Sequence, residues 1–350
     1  MTKYYTRACN FYYGVVSQEL VKKKLSLPLC GKNNISFDKI EIFTRKKNSI
    51  RSKIININKI EALSSLIKKK VKLDIKKIVS KKNFFNQTNI MGILNMTPDS
   101  FSDGGMFNRK SKALKRIKSM INSGADIIDV GGESTRPGSK IISTQDEWKR
   151  IKEIIKIFKK KNFKIKLSVD TRKSKIMSES IKYGADIIND VSCFAFDKDA
   201  IKSIKNSNVW KVIHHMQGTP QTMQKSPKYN HVLLDIYDFF ELKIRKLKNT
   251  KYSKKLILDP GIGFGKNLKH NLMLLNKISL FHSLGFPILI GTSRKRFINQ
   301  IAKNFDTKER IGGTMSSIIF TLTQGVQIFR VHNVEEIKQG ILVFEKLLNQ

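Results

Sequence analysis

Eight short apolar runs, most of them separated by a longer amphipathic segment, constrain this chain more than any other feature. They are IMGIL (Ile90–Leu94), IIDVG (Ile127–Gly131), KLSV (Lys166–Val169), IIN (Ile187–Asn189), VWKVIH (Val209–His214), KLIL (Lys255–Leu258), PILIG (Pro287–Gly291) and VQIFRV (Val326–Val331). Short β-branched runs of this kind read as buried strands. Between them, Ala113–Ile121, Glu147–Phe158, Leu233–Leu247 and Leu272–Leu284 carry apolar residues at helical spacing among lysines. Two joints nearly repeat: Ser123-Gly-Ala-Asp-Ile-Ile-Asp and Tyr183-Gly-Ala-Asp-Ile-Ile-Asn. Each Gly fits a helix C-cap, with a strand starting a few residues later. Strands alternating with helices imply a parallel sheet, and eight of them over about 260 residues predict a closed α/β (β/α)8 TIM barrel. An open doubly wound sheet is the competitor, but no Gly-x-Gly-x-x-Gly follows the first strand.

Ahead of these runs, residues 1–85 form a separate compositional zone with scattered apolar residues and Lys triplets at Lys22–Lys24 and Lys68–Lys70. Their spacing predicts a short helix over Ile54–Ile67 and little else. The chain therefore divides into an N-terminal extension of unknown fold, 1–85, and a barrel, 86–350.

Composition excludes several classes. No apolar run reaches the roughly 20 residues needed to cross a bilayer, and the start, MTKYYTRACNFYYG, carries no secretory pattern. Three distant cysteines without Cys-x-x-Cys argue against a disulfide framework or zinc site and fit a reducing cytoplasm. The net charge of +39 invites nucleic acid, yet the excess is mostly Lys, with no basic run interleaved with stacking aromatics. Attraction of anionic small molecules is the milder implication.

In a barrel of this kind the active site is built at the C-terminal strand ends. Here those positions are Asn95; Glu133-Ser-Thr-Arg-Pro-Gly; Asp170; Asn189 and Asp190; His214-His-Met-Gln-Gly; Asp259-Pro-Gly; Ser293-Arg-Lys; and Arg330-Val-His332. One polar strand end merely meets water. Eight together, with Asp and Asn inside β-branched runs, imply partners or a ligand, since an unpaired buried carboxylate is costly.

The set splits in two. Arg136, Arg294 and Arg330 are three of thirteen arginines in a Lys-rich chain, and the guanidinium fork grips phosphate bidentately. With His332, Ser134, Thr135 and Asn95 they suit a phosphate or pyrophosphate, with a hard divalent cation that takes oxygen ligands. Asp170, Asn189 and Asp259 suit a flat nitrogen heterocycle with adjacent N–H donors, and Lys295 could donate to a ring carbonyl. Gly261-x-Gly263-x-Gly265 reads as a tight turn after Pro260. His214 and His215 are adjacent on a strand and point to opposite faces, against a shared metal. His231, His270 and His282 read as surface residues.

ILNMTPDSFSDGG, IIDVGGESTRPG, SVDTRK, IIND, HHMQGTPQTMQ, LDPGIGFGKN, GTSRK and RVHNV resemble, in order and spacing, the motif series of bacterial dihydropteroate synthases across about residues 88–348. The resemblance implies a pterin-binding barrel that joins a dihydropterin hydroxymethyl diphosphate to 4-aminobenzoate in folate synthesis. Asn95 would be the ligand of magnesium. Thr135, Arg330 and His332 would meet the diphosphate, with Ser134 and Arg136 nearby. Asp170, Asn189, Asp259 and Lys295 would hold the pterin ring. Phe101, Arg136 and Pro137 would form the aminobenzoate pocket, and Ser293 would face its carboxylate. The catalytic set implied is Asp170, Asp259, Lys295, Arg330 and His332, in a cytoplasmic homodimer with small-molecule substrates and no nucleic-acid or membrane partner.

Three departures stand out. His214 replaces a usual Met, Arg296 replaces a usual small residue, and the extension exceeds the family's short N-terminal hairpin. A methyltetrahydrofolate–corrinoid methyltransferase would share the ring readers but needs no diphosphate set. A non-catalytic pterin- or nucleic-acid-binding protein rests only on the charge and the extension.

Overall fold

Alternate residues of the strand runs turn to opposite faces, and the computed structural model shows where each face goes. It describes residues 2–348 apart from 48, 83, 84, 86, 98–105, 135–137, 250, 304 and 305, and not the side chains of 106–109. The N-terminal unit comprises β1 (Lys3–Tyr13), α1 (Gly14–Lys22), β2 (Leu27–Leu29), β3 (Lys32–Lys46), β4 (Ser49–Asn56) and α2 (Ser65–Ile78). The larger unit runs β5 (Asn89–Asn95), α3 (Met106–Asn122), β6 (Ile127–Gly131), α4 (Thr144–Lys161), β7 (Lys166–Asp170), α5 (Ser174–Lys182), β8 (Ile187–Asp190), α6 (Ala200–Ile204) and β9 (Trp210–His214). It continues through α7 (Val232–Leu247), β10 (Leu256–Asp259), α8 (Leu268–Asn276), β11 (Leu289–Ile290), α9 (Arg296–Ala302), α10 (Ile311–Leu322), β12 (Ile328–Val331) and α11 (Val334–Leu348).

Among the described residues β5 to β12 form one parallel eight-stranded sheet, ordered β10-β9-β8-β7-β6-β5-β12-β11. A parallel bridge, Leu258 to Ile288, joins the two ends and closes the barrel. Inward residues low on the strands, such as Met91, Ile127, Ile187, Val212, Ile257 and Ile328, make a buried plug with Phe85 and Trp210. The other parity, including Leu94, Ile128, Val169 and Phe329, packs outward in the main core. A strand repeats its facing every two residues, so Asn95, Asp129, Asn189, Asp259 and Arg330 share the inward parity of the plug.

The repeated joint does the same work twice. Gly124 and Gly184 adopt φ of +88° and +91°, and the amides of Ala125 and Ala185 close back on the Met120 and Ser180 carbonyls. Asp126 then accepts the Ile90 amide at 2.8 Å and Asp186 the Leu167 amide at 3.0 Å. Each Asp thus caps an N–H near the start of the neighbouring strand.

Residues the sequence left unassigned form an antiparallel sheet in which β1, β2 and β4 all pair with β3. The helix expected over Ile54–Ile67 is not there. Ile54 lies within β4, which runs on to Asn56; a 3-10 turn covers Ile57–Ala62, and α2 begins only at Ser65. Pairing of Ile54 with Glu41 on β3 overrides its local helical pattern. The Leu272–Leu284 segment also breaks, α8 ending at Asn276 and a 3-10 helix running over Ile278–Leu284.

The sheet sits on that 3-10 helix and on α7. Lys3 and Arg45 reach Asp238 at 2.6 and 3.3 Å, and Tyr5 stacks edge-on to Tyr237. Ser279 Oγ donates to the Ala8 carbonyl. His282, expected at the surface, is fully buried beneath the sheet. Its Nε2–H donates to the Gln324 carbonyl at 2.9 Å, which leaves Nδ1 to accept from the Cys30 thiol at 3.4 Å.

Candidate active site at the barrel mouth

The strand ends converge. Register sets Asn95, Gly131, Asp170 and Asn189 side by side across β5 to β8, and Asp259 beside His214 across β10 and β9. Gly131 keeps the centre open: a Cβ there would stand 3.4 Å from Asp170 Cβ and 3.8 Å from Asn95 Oδ1.

Arg330 organises the interior. From β12 it reaches past β5, its Nε donating to Asp129 Oδ2 at 2.7 Å and its Nη2 to Asp170 Oδ2 at 2.9 Å. Asn189 Nδ2 donates to the same Asp129 oxygen at 3.1 Å. Burial pushes the Asp170 carboxyl up; the Arg330 guanidinium bonded to it opposes the rise, and the neighbouring carboxylate of Asp129 adds to it. Asp259 is raised by burial to about 6 although its Oδ1 accepts the Gly261 amide at 2.8 Å. Burial and then Arg330 lower Lys295 to about 8. Its ammonium lies 4.1 Å from the centre of the Phe264 ring, which meets the His214 ring edge-on.

His214 donates Nδ1–H to the Val191 carbonyl at 3.2 Å. Burial, followed by Lys266 and Lys295, holds it well below its usual pKa. Neutral, it makes no ion pair with Asp259 Oδ2 at 3.9 Å. His215 turns outward to Phe239, and its Nδ1 lies 3.0 Å from Lys266 Nζ. The opposite-face expectation holds. The loop of Gly261, Gly263 and Gly265, all at positive φ, packs on the His215–Gln217 backbone. An added Cβ at Gly261 would collide with the His215 carbonyl oxygen.

Ser293 Oγ lies 3.0 Å from His332 Nδ1, and Arg294 closes its fork on Asn333 Oδ1 at 3.2 and 2.7 Å. Asp190, buried and raised by burial to about 6, caps the Ser192 and Phe194 amides. Arg296 is exposed at the start of α9. Phe101, Thr135, Arg136 and Pro137 lie outside the described residues, as does most of the Thr97–Gly105 loop.

Three features escaped the sequence reading. Asp129 sits one layer below the strand ends; an Asp inside IIDVG, at inward parity with Gly131, was its signal. Phe264 lay among turn glycines. Glu133 joins a buried network with Arg172 (2.6 Å) and Lys173 (3.0 Å), which also reaches Glu147 at 2.5 Å. Glu133 Oε1 further accepts the Ile142 amide, so the network holds both ends of the β6–α4 loop.

Among the described residues no group of three His, Cys, Asp or Glu side chains could hold a metal ion. Nor is any described helix long and apolar enough to cross a membrane.

Comparison with known proteins agrees with this geometry. The family described as pterin binding enzyme matches residues 91–332. A dihydropteroate synthase of Escherichia coli (strain K12) is 42% identical over 261 residues, covering 74% of this chain and 92% of that protein. A crystal structure of the Yersinia pestis dihydropteroate synthase with a sulfonamide drug superposes with a TM-score of 0.71 at 39% identity, over 75% of this chain and 95% of that one. The Xanthomonas albilineans dihydropteroate synthase with 4-aminobenzoic acid gives a TM-score of 0.70 at 31% identity, over 75% and 94%.

Proposed function

This chain belongs to the pterin-binding enzyme family as a dihydropteroate synthase, and from that premise we propose how its own barrel mouth divides the work. The reaction joins (7,8-dihydropterin-6-yl)methyl diphosphate to 4-aminobenzoate, giving 7,8-dihydropteroate and diphosphate in folate biosynthesis. The C–O bond to diphosphate breaks, and a C–N bond to the arylamine forms. The observation that carries the assignment is the convergence of Asp170, Asn189, Asp259, Lys295 and Arg330 on one mouth.

Asp170, Asn189 and Asp259 accept the ring's N–H donors, and Lys295 donates to its carbonyl. Arg330 and His332 take up charge developing on the departing diphosphate, which is stabilisation where the transition state needs it. Asp170 and Asp259 complement the cationic methylene left behind. Thr135 binds the diphosphate, while Phe101, Arg136 and Pro137 enclose the aminobenzoate. Ser293, held beside His332, faces its carboxylate.

Magnesium fits this site through Asn95, whose amide oxygen lies beside Gly131 at the mouth. Mg2+ keeps water and substrate phosphate as most of its shell, so one protein oxygen suffices; bound there, it would offset charge on the diphosphate. If EDTA leaves the rate of diphosphate release unchanged, the magnesium role is wrong.

Two further points are also proposed. Phe320, Leu342, Val343 and Leu347, large apolar side chains of α10 and α11, are exposed, which supports a homodimer; a single-copy mass by light scattering would remove it. Three free cysteines, all buried, support a cytoplasmic setting.

A further inference from the structure

We propose that Asp129 is a positioning residue, a fully buried carboxylate that sets Arg330 and Asn189 in one array and so couples diphosphate recognition to ring recognition. The proposal rests on the roles assigned to those two residues above.

Asp129 does not touch the open mouth as the strand-end residues do. It lies two residues before Gly131 on β6, paired with Ile93 and Ser168, and is 0% exposed. The inward residue next below it is Ile127, part of the apolar plug. An apolar side chain would fill such a position, and replacing a buried ion pair by one often costs nothing in stability. Stability alone therefore does not account for a carboxylate here.

Its bonds do. One oxygen, Oδ2, receives both Arg330 Nε at 2.7 Å and Asn189 Nδ2 at 3.1 Å. Arg330 comes from β12, two strands away around the barrel, and Asn189 from β8, two strands away on the other side. A single anion between them fixes the Arg fork by its Nε edge, and Nη2 is then directed to Asp170. The same anion orients the Asn189 amide, since an amide whose nitrogen is spoken for must present its oxygen elsewhere. Gly131, with no side chain, leaves the layer above open. The other oxygen, Oδ1, has no partner among the described residues. A buried carboxylate oxygen left unsatisfied by the fold is expensive, so a carboxylate kept here for stability alone is disfavoured.

Asp129→Asn preserves volume and removes the anion. The measurements are steady-state kinetics of the full chain and calorimetric binding of two probes, inorganic pyrophosphate and 6-hydroxymethylpterin. Thermal unfolding checks that the variant folds. The expectation is a fall of about thirtyfold or more in kcat/KM for the dihydropterin diphosphate, with both probes weakened about tenfold. KM for 4-aminobenzoate should move less than about threefold. In an Arg330→Met background, Asp129→Asn should further weaken pyrophosphate by less than about twofold, because its effect on that probe runs through Arg330. A variant that lowers only the unfolding temperature, or losses that simply multiply in the double variant, would overturn the proposal. Arg330→Met binding pyrophosphate as well as the parent would instead overturn the site reading itself.

Discussion

Arg330 and Asp170 hold each other across the barrel, one on β12 and one on β7. The guanidinium makes two bonds in different directions, to Asp129 and to Asp170, which a point-charge ammonium cannot reproduce. Arg330→Lys should lower the rate by at least about tenfold, roughly 1.4 kcal/mol in the barrier; steady-state turnover measures it, and an unimpaired variant would move diphosphate recognition elsewhere. Asp170, Asn189, Asp259 and Lys295 were legible in sequence because each lies at or just beyond the end of an apolar run, and Arg330 because it is an arginine in a Lys-rich chain. Asp129 was not, because it lies inside one, and only strand parity places it on the inner face. His282 was misread for the opposite reason: nothing near it in sequence reveals the sheet that covers it.

At the scale of elements, the barrel strands were readable because burial on both faces makes them continuous apolar runs. The N-terminal strands were not. β3 reads KNNISFDKIEIFTRK, and its buried positions follow from partners up to 42 residues away, such as Lys3 opposite Arg45. The junction between that sheet and the 3-10 helix Ile278–Leu284 carries a pH dependence. Burial, more than nearby Lys82, holds His282 down at about 3, against an ordinary value near 6.5. The fold favours the neutral ring, so its contribution is complete above pH 6.5 and is lost as pH falls towards 3. The expected loss is up to about 1.4 kcal/mol per pH unit in that window. Denaturant midpoints between pH 6.5 and 5 should fall less steeply in His282→Gln than in the parent. Equal slopes would assign the acid sensitivity to another group.

At the scale of the molecule, the extension is part of the packing. Lys3, Arg7, Arg45 and Tyr13 all bond to barrel residues, and Leu29 fits against Gly325. Deleting residues 1–85 would uncover His282 and Ser279 and strand the Asp235–Asp238–Glu241 cluster of α7 without Lys3 and Arg45. The truncated chain should therefore unfold at lower temperature than the full chain or fail to stay in solution. If it folds and turns over normally, the extension is an accessory. The closed (β/α)8 architecture was legible from the count and spacing of the runs, whereas the mode of docking was not, being written in single side chains scattered over both units.

The most direct test of the account follows diphosphate and 7,8-dihydropteroate together in one reaction containing the dihydropterin diphosphate, with and without 4-aminobenzoate. The expected result is magnesium-dependent release of one diphosphate per dihydropteroate formed, rising with 4-aminobenzoate. Diphosphate release that ignores 4-aminobenzoate and yields no dihydropteroate would contradict it.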